Sequence, residues 1–293
     1  MAQIELAELH RYTIDALGIE TNYYEVGRPI VDPVETNGLR QAQALPPEKQ
    51  TVLLLHGMTS SGDAYRELMV ALADDYHLIA PDIPGFGFTE STTPFTMDHL
   101  VEWVAAFIDA LELSPCYLVG HSFGGVLATH FTLAYPEDVV RLVLIAPALL
   151  SGQKIPDVIV KAGISLGLID LGTTISQSRM VVAYQVKSGF FQPEQQPDTV
   201  WPRRIRDYEN ARASAHVVKA IGLESPVDFS QLVHPVCLIW GEEDPVVPVA
   251  DGEALVDLLA NAELHRLPEC GHVPVQEKTA VVVETIGLFF DSG

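Results

Sequence analysis

From Thr51 to Pro147 short apolar runs alternate with helix-like stretches, and this alternation restricts the fold more than any other feature of the chain. Thr51–Leu55 reads as a strand ending at His56-Gly57. A helix pattern follows Gly62, with Leu68, Ala71 and Leu72 on one face. His77–Ala80 reads as the next strand, closed by Pro81-Asp82. A second helix is expected over about Thr96–Leu113, where Val104, Phe107, Ile108 and Leu111 keep the i, i+3, i+4, i+7 spacing. Cys116–Val119 reads as a strand, Phe123–Tyr135 as a helix, and Arg141–Ile145 as a strand closed by Ala146-Pro147. Short apolar strands separated by amphipathic helices indicate βαβ units, hence a parallel sheet covered on both faces.

The rest of the chain fits around that frame. Two strand-like stretches, Arg11–Leu17 and Ile19–Val26, come first, and the polar, proline-bearing segment Arg28–Gln50 reads as an extended surface connection. The alternation stops at Pro147. Residues from Ala148 to Val233 contain helix-like pieces with no strand between them, and they read as a helical insertion rising above the sheet. Pro235–Trp240 resumes the strands, followed by a helix over Asp251–Leu259, a strand over Glu263–Leu267 and a final helix over Val275–Phe290. Residues 1–147 and 234–293 are therefore expected to form one core, with 148–233 as an insertion.

Composition narrows the partners. The formal charge is −22, from 39 acids against 17 bases, so a phosphate backbone is repelled and nucleic-acid binding is disfavoured. No apolar run approaches the roughly 20 residues needed to span a bilayer, so stable membrane insertion is not expected. The N-terminal residues carry an early acid and no basic-then-apolar pattern, which makes a cytoplasmic protein the default. Cys116, Cys237 and Cys270 are widely spaced and odd in number, offering neither a disulfide framework nor a zinc pattern. They read as buried reduced thiols. No cluster asks for a metal or an organic cofactor, and the sequence leaves the oligomeric state open.

The chemistry concentrates in one constellation. Gly120-His121-Ser122-Phe123-Gly124 matches G-x-S-x-G, in which small residues flank a serine on a sharp strand-to-helix turn. Gly163-Ile164-Ser165-Leu166-Gly167 matches the same pattern, but only Ser122 follows an apolar strand and opens a helix. A serine hydroxyl needs a base to take its proton, and His272 fits, in a Gly/Pro-punctuated loop after the last strand. Asp244, beyond the preceding strand, is the candidate to orient that histidine, with Glu242 and Glu243 as alternatives. Backbone N–H groups of Met58 and Phe123 are the candidate oxyanion donors. His56 reads as a brace for the first of these loops, and His121 as a local packing or hydrogen-bonding group.

His56-Gly57, Asp82-Ile83-Pro84-Gly85-Phe86-Gly87, Gly120 to Gly125, Gly241 to Asp244 and Gly271-His272 run in an order that closely resembles the α/β-hydrolase superfamily from Thr51 to Phe290. The resemblance implies a mostly parallel eight-stranded sheet with helices on both faces, and a helical cap over the site, here about Ala148–Val233. It also implies a serine hydrolase. Ser122 speaks against epoxide-opening and dehalogenating relatives, which carry aspartate there. Carbon–carbon bond hydrolases often have a glycine-rich oxyanion loop and an aromatic residue after the catalytic histidine. This chain has Met58-Thr59-Ser60-Ser61-Gly62 and Val273 instead.

The favoured reading is hydrolysis of a small-molecule carboxylic ester with an apolar acyl group through an acyl-enzyme. Carbon–carbon cleavage, haloperoxidase or perhydrolase chemistry, and a ligand receptor with a retained triad remain as alternatives. Tyr184, Phe190, Phe191 and Trp201 are candidates for an acyl pocket, although most such aromatics serve to bury a cap on its core. Arg203 and Arg204 are candidates for a substrate carboxylate, against the plainer role of surface salt bridges.

Overall fold

The computed structural model of the chain describes residues 9–27, 49–150, 163, 165–176, 179–223 and 227–292. The N-terminal residues 1–8 and nearly all of the connection expected over Arg28–Gln50 lie outside them. The strands are β1 (His10–Ala16), β2 (Ile19–Val26), β3 (Thr51–Leu55), β4 (His77–Pro81), β5 (Cys116–His121), β6 (Val139–Ile145), β7 (Val236–Gly241) and β8 (Ala262–Leu267). They form one eight-stranded sheet in the order β1-β2-β4-β3-β5-β6-β7-β8. The β1–β2 and β2–β4 pairs are antiparallel, and every other pair is parallel. β1 ends one residue before the expected Leu17, because Leu17 (φ 58°) and Gly18 (φ 75°) make the hairpin turn.

Alternate residues of the central strands enter two separate cores. Leu53, Leu55, Leu118, Leu142, Leu144, Leu238 and Trp240 face one side, where Trp103 and Phe107 of α2 (Met97–Leu111), Leu127 and Phe131 of α3 (Phe123–Ala134) and Leu255 of the helix after β7 meet them. Val52, Leu54, Val119, Val143, Ile145 and Ile239 face the other side, against α1 (Arg66–Leu72) and the C-terminal helix. Burial on both faces is what makes these strands continuously apolar. A buried Leu or Phe side chain contributes about 1.5–3 kcal/mol, so this sandwich dominates the stability and its strand ends are fixed points.

β6 and β7 are parallel neighbours, with Leu142 opposite Val236, so the long segment between them leaves and returns at adjacent strands. Its described residues hold α4 (Leu168–Ser176), α5 (Arg179–Ser188), α6 (Val200–Glu209) and α7 (Ser214–Leu223). Among the described residues it contains no strand, as the loss of alternation after Pro147 leads one to expect. α8 spans Val249–Leu258.

The C-terminal helix differs from expectation. It is two helices, α9 (Pro274–Glu277) and α10 (Thr279–Asp291), separated at Lys278, whose φ of −132° and ψ of 41° are not helical. Among the described residues, no helix is long and apolar enough to cross a membrane.

Candidate active site

In a parallel sheet the loops beyond the carboxyl ends of the strands share one edge, and ligands collect where strand order reverses. Here the reversal lies at β3, which has β4 on one side and β5 on the other. The loop after β3 carries Met58, and the turn after β5 carries Ser122. Asp244 follows β7 and His272 follows β8, so all four reach the same edge.

Ser122 sits directly between β5 and α3 with φ 49° and ψ −115°, outside the comfortable regions for a residue with a Cβ. Such a conformation costs about 1–3 kcal/mol and persists only where its surroundings impose it. They do so here. The Ser122 N–H donates to Ile145 O of the neighbouring strand at 2.9 Å, and Gly125 N–H donates back to Ser122 O at 3.0 Å. The tight turn also brings α3 against β3: a Cβ on Gly124 would lie 2.1 Å from Leu55 O, and one on Gly120 would lie 2.5 Å from Gly124 O. Both flanking positions therefore require glycine.

The three side chains singled out by chain order meet. Ser122 Oγ lies 3.0 Å from His272 Nε2, and His272 Nδ1 lies 2.7 Å from Asp244 Oδ2. The Asp244 side chain is fully buried, and its other oxygen accepts from the Val246 and Val247 N–H groups at 2.8 and 2.9 Å. One oxygen is thus held by the loop, which aims the second at the imidazole. Glu243 accepts from Cys270 N–H at 3.0 Å and Glu242 pairs with Arg266, so both alternatives are engaged elsewhere.

The His272 backbone is held as firmly as its ring. Its N–H donates to Gly189 O at 2.6 Å, and its carbonyl accepts from His121 Nε2 at 2.7 Å. Burial pushes the His121 pKa down to about 3, so the neutral ring carries its proton on Nε2 to make that bond. His56 is the brace expected from sequence. Its Nε2 accepts from Ile83 N–H at 2.9 Å and its Nδ1 donates to Gly57 O at 2.8 Å, with burial lowering its pKa to about 4. Met58 is 37% exposed and Phe123 is buried at the start of α3. Among the described residues, neither backbone N–H has a hydrogen-bond acceptor.

Sequence reasoning missed the contacts that reach this edge from between β6 and β7. Asp207 of α6 accepts from Ser61 Oγ at 2.9 Å, and Arg206 pairs with Asp63 at 2.8 Å, both in the loop after β3. Burial pushes the Asp207 pKa up to about 6 and that of Asp82, which feels its charge, to about 7. Arg203 pairs with Glu67, which is the plainer of its two expected roles. Arg204 is buried rather than at the surface, within 5.9 Å of the Phe190 ring and 5.5 Å of the Tyr208 ring.

The four candidate pocket aromatics divide. Phe190 is buried and meets the ring of Trp201 edge-on at 5.3 Å, so this pair packs the segment onto the core. Phe191 is 37% and Tyr184 76% exposed. Ser165, in the second G-x-S-x-G match, is exposed and itself helical, unlike Ser122 at its turn.

Cys116, Cys237 and Cys270 are free and buried, and burial raises each thiol, Cys116 to about 12. Away from the strand-end edge, Cys237, Glu263 and His265 bring potential ligand atoms within 4.8 Å of one another. There the raised Cys237 holds its proton, and His265 pairs with Glu263 at 3.1 Å.

Comparison with known proteins adds a lineage to this geometry. A family model described as the alpha/beta hydrolase family matches residues 52–285. The chain is 26% identical over 300 residues to an uncharacterized hydrolase, YugF, of Bacillus subtilis, covering 97% of this chain and 98% of that one. It is 27% identical to the monoacylglycerol lipase ABHD6 of Bos taurus, covering 80% and 73% of the two chains. A solved meta-cleavage product hydrolase from Pseudomonas fluorescens superposes with a TM-score of 0.74 at 25% identity, covering 97% and 98%.

Proposed function

The chain belongs to the alpha/beta hydrolase family, and on that premise we propose that it is a serine hydrolase of carboxylic esters with apolar acyl groups. The observation that carries the reading is the continuous hydrogen-bonded path from Ser122 Oγ through His272 to the buried Asp244. In this scheme His272 Nε2 takes the Ser122 proton as Oγ attacks the ester carbonyl. Asp244 holds the proton on Nδ1 and stabilises the imidazolium that forms. The free Met58 and Phe123 N–H groups receive the developing oxyanion. His272 then protonates the departing alcohol, and a water activated by the same imidazole releases the acid. Residues 148–233 serve as the cap over this edge. Buried reduced thiols fit a cytoplasmic setting.

Relatives named as a monoacylglycerol lipase and as a meta-cleavage product hydrolase both support a hydrolase. The ester reading is preferred because the loop after β3 carries Met58, Thr59, Ser60 and Ser61 rather than glycines. In addition, the residue after His272 is the buried, aliphatic Val273. The test is a panel of p-nitrophenyl esters of rising chain length on the wild type, Ser122→Ala and Ser165→Ala. Ser122→Ala is expected to lose about 10⁴-fold or more in kcat, while Ser165→Ala keeps its rate. Full activity in Ser122→Ala removes the mechanism. Turnover of a vinylogous diketone with no turnover of any ester moves the reading to carbon–carbon cleavage.

A further inference from the structure

One carboxylate beside the site has no part in the proton path, yet three backbone N–H groups converge on it. Glu277 Oε1 accepts from Gly271 N–H at 3.0 Å and Val273 N–H at 3.2 Å, the residues on either side of His272. Its Oε2 accepts from Phe191 N–H at 2.7 Å, in the segment between β6 and β7. His272 N–H donates to Gly189 O of that same segment. The two stretches of backbone lie so close that a Cβ on Gly271 would stand 2.3 Å from Gly189 O and 2.8 Å from Phe191 N. Residues 189–191 and 271–273 are therefore joined by one direct hydrogen bond and by a single shared side chain.

We propose, resting on the esterase reading above, that Glu277 is a positioning residue: it ties the His272 loop to residues 189–191 and so fixes the imidazole relative to Ser122. The physical argument is one of reach and number. His272 Nε2 must stay within hydrogen-bond distance of Oγ, and displacement of a reacting group by about 1 Å can cost about 100-fold in rate. The loop that carries it contains Gly271 and no regular structure of its own. A carboxylate that accepts from both flanking amides removes the loop's freedom to slide, and charge-assisted bonds of this kind are about twice as strong as neutral ones. The third bond makes the 189–191 strap part of the same body. Burial raises the Glu277 pKa, which the three donors oppose. The strap is accordingly a fixed wall of the site.

Glutamine at 277 keeps the two bonds of Oε1 but turns an amide NH₂ toward Phe191 N–H, whereas alanine removes all three. The experiment measures kcat and KM for p-nitrophenyl butyrate on the wild type, Glu277→Gln, Glu277→Ala, Ser122→Ala and Ile286→Val. Active sites are counted by stoichiometric phosphonylation. Ile286→Val trims the fully buried core on α10 and controls for lost stability without touching the loop. The expected result is a fall in kcat per counted site of about 30-fold or more in Glu277→Ala. Glu277→Gln should fall by a smaller factor, with KM within about twofold in both and Ile286→Val unchanged per site. If Glu277→Ala does not fold, Glu277→Gln decides alone. A kcat per site within about twofold of wild type in the folded variant, with Ser122→Ala dead, overturns this proposal and leaves the triad reading standing. An active Ser122→Ala overturns the triad reading itself.

Discussion

At the scale of single residues the site is a set of backbone constraints with a few side chains placed on them. Ser122 is held at φ 49°, and Gly124 has no room for a methyl group because the Leu55 and His56 carbonyls occupy it. Gly124→Ala is therefore expected to destabilise the protein by about 1–3 kcal/mol in urea unfolding. It should also depress ester turnover in the molecules that remain folded, since β3 leads straight into the Met58 loop. Asp244→Asn is a cleaner probe. The residue keeps its shape and its loop contacts, but its amide can present a donor to His272 Nδ1 and so favour the wrong tautomer. A fall in kcat of about 10⁴ with little change in KM is expected. An Asp244→Asn enzyme with near-normal kcat removes Asp244 from the mechanism.

Among the elements, the sheet and its flanking helices were legible in the sequence, and the reason is periodicity. β3, β5 and β6 are apolar on both faces, and α2 carries its stripe between the Thr96 cap and the left-handed Glu112. Chain order and strand ends were enough to single out Ser122, Asp244 and His272. The tethers were not legible, because a side chain that bonds distant backbone leaves no period. Asp207 reaches Ser61 across 146 positions, and Glu277 reaches Phe191 across 86. Glu277 left no capping-box signal either, since it stands four residues after the Val273 N-cap rather than three. One expected C-terminal helix is two because the Lys278 backbone leaves helical dihedrals between them, a local break that the apolar spacing of Val275–Phe290 does not register.

The contact of α6 with the loop after β3 has its own signature. The Asp207 pKa is raised by burial, so the folded chain holds a proton there that the unfolded chain releases above about pH 4. This contribution to stability is present at low pH and is lost as pH rises through about 6. Asp207→Asn deletes it while keeping an acceptor for Ser61. Between pH 5 and pH 6 the slope of unfolding free energy against pH should become more positive in the variant by about 1 kcal/mol per unit. Urea titrations at the two pH values measure this, and equal slopes would falsify the raised pKa.

For the whole molecule the dominant fact is the charge of −22. Its field opposes an anionic substrate over a Debye length of about 30 Å at 10 mM salt but only about 3 Å at 1 M. The kcat/KM of an anionic ester, taken relative to a neutral one of similar size, should therefore rise several-fold across that range. A flat ratio would mean that the net charge exerts no field on substrate entering the site. The close approach of Gly271 to the Gly189 carbonyl has a practical consequence for anyone recombining this scaffold with a relative. A graft whose crossover falls between residues 189 and 191 must supply both a carbonyl for His272 and an amide for Glu277 in register. Junctions set before Gly189 leave that register with the recipient.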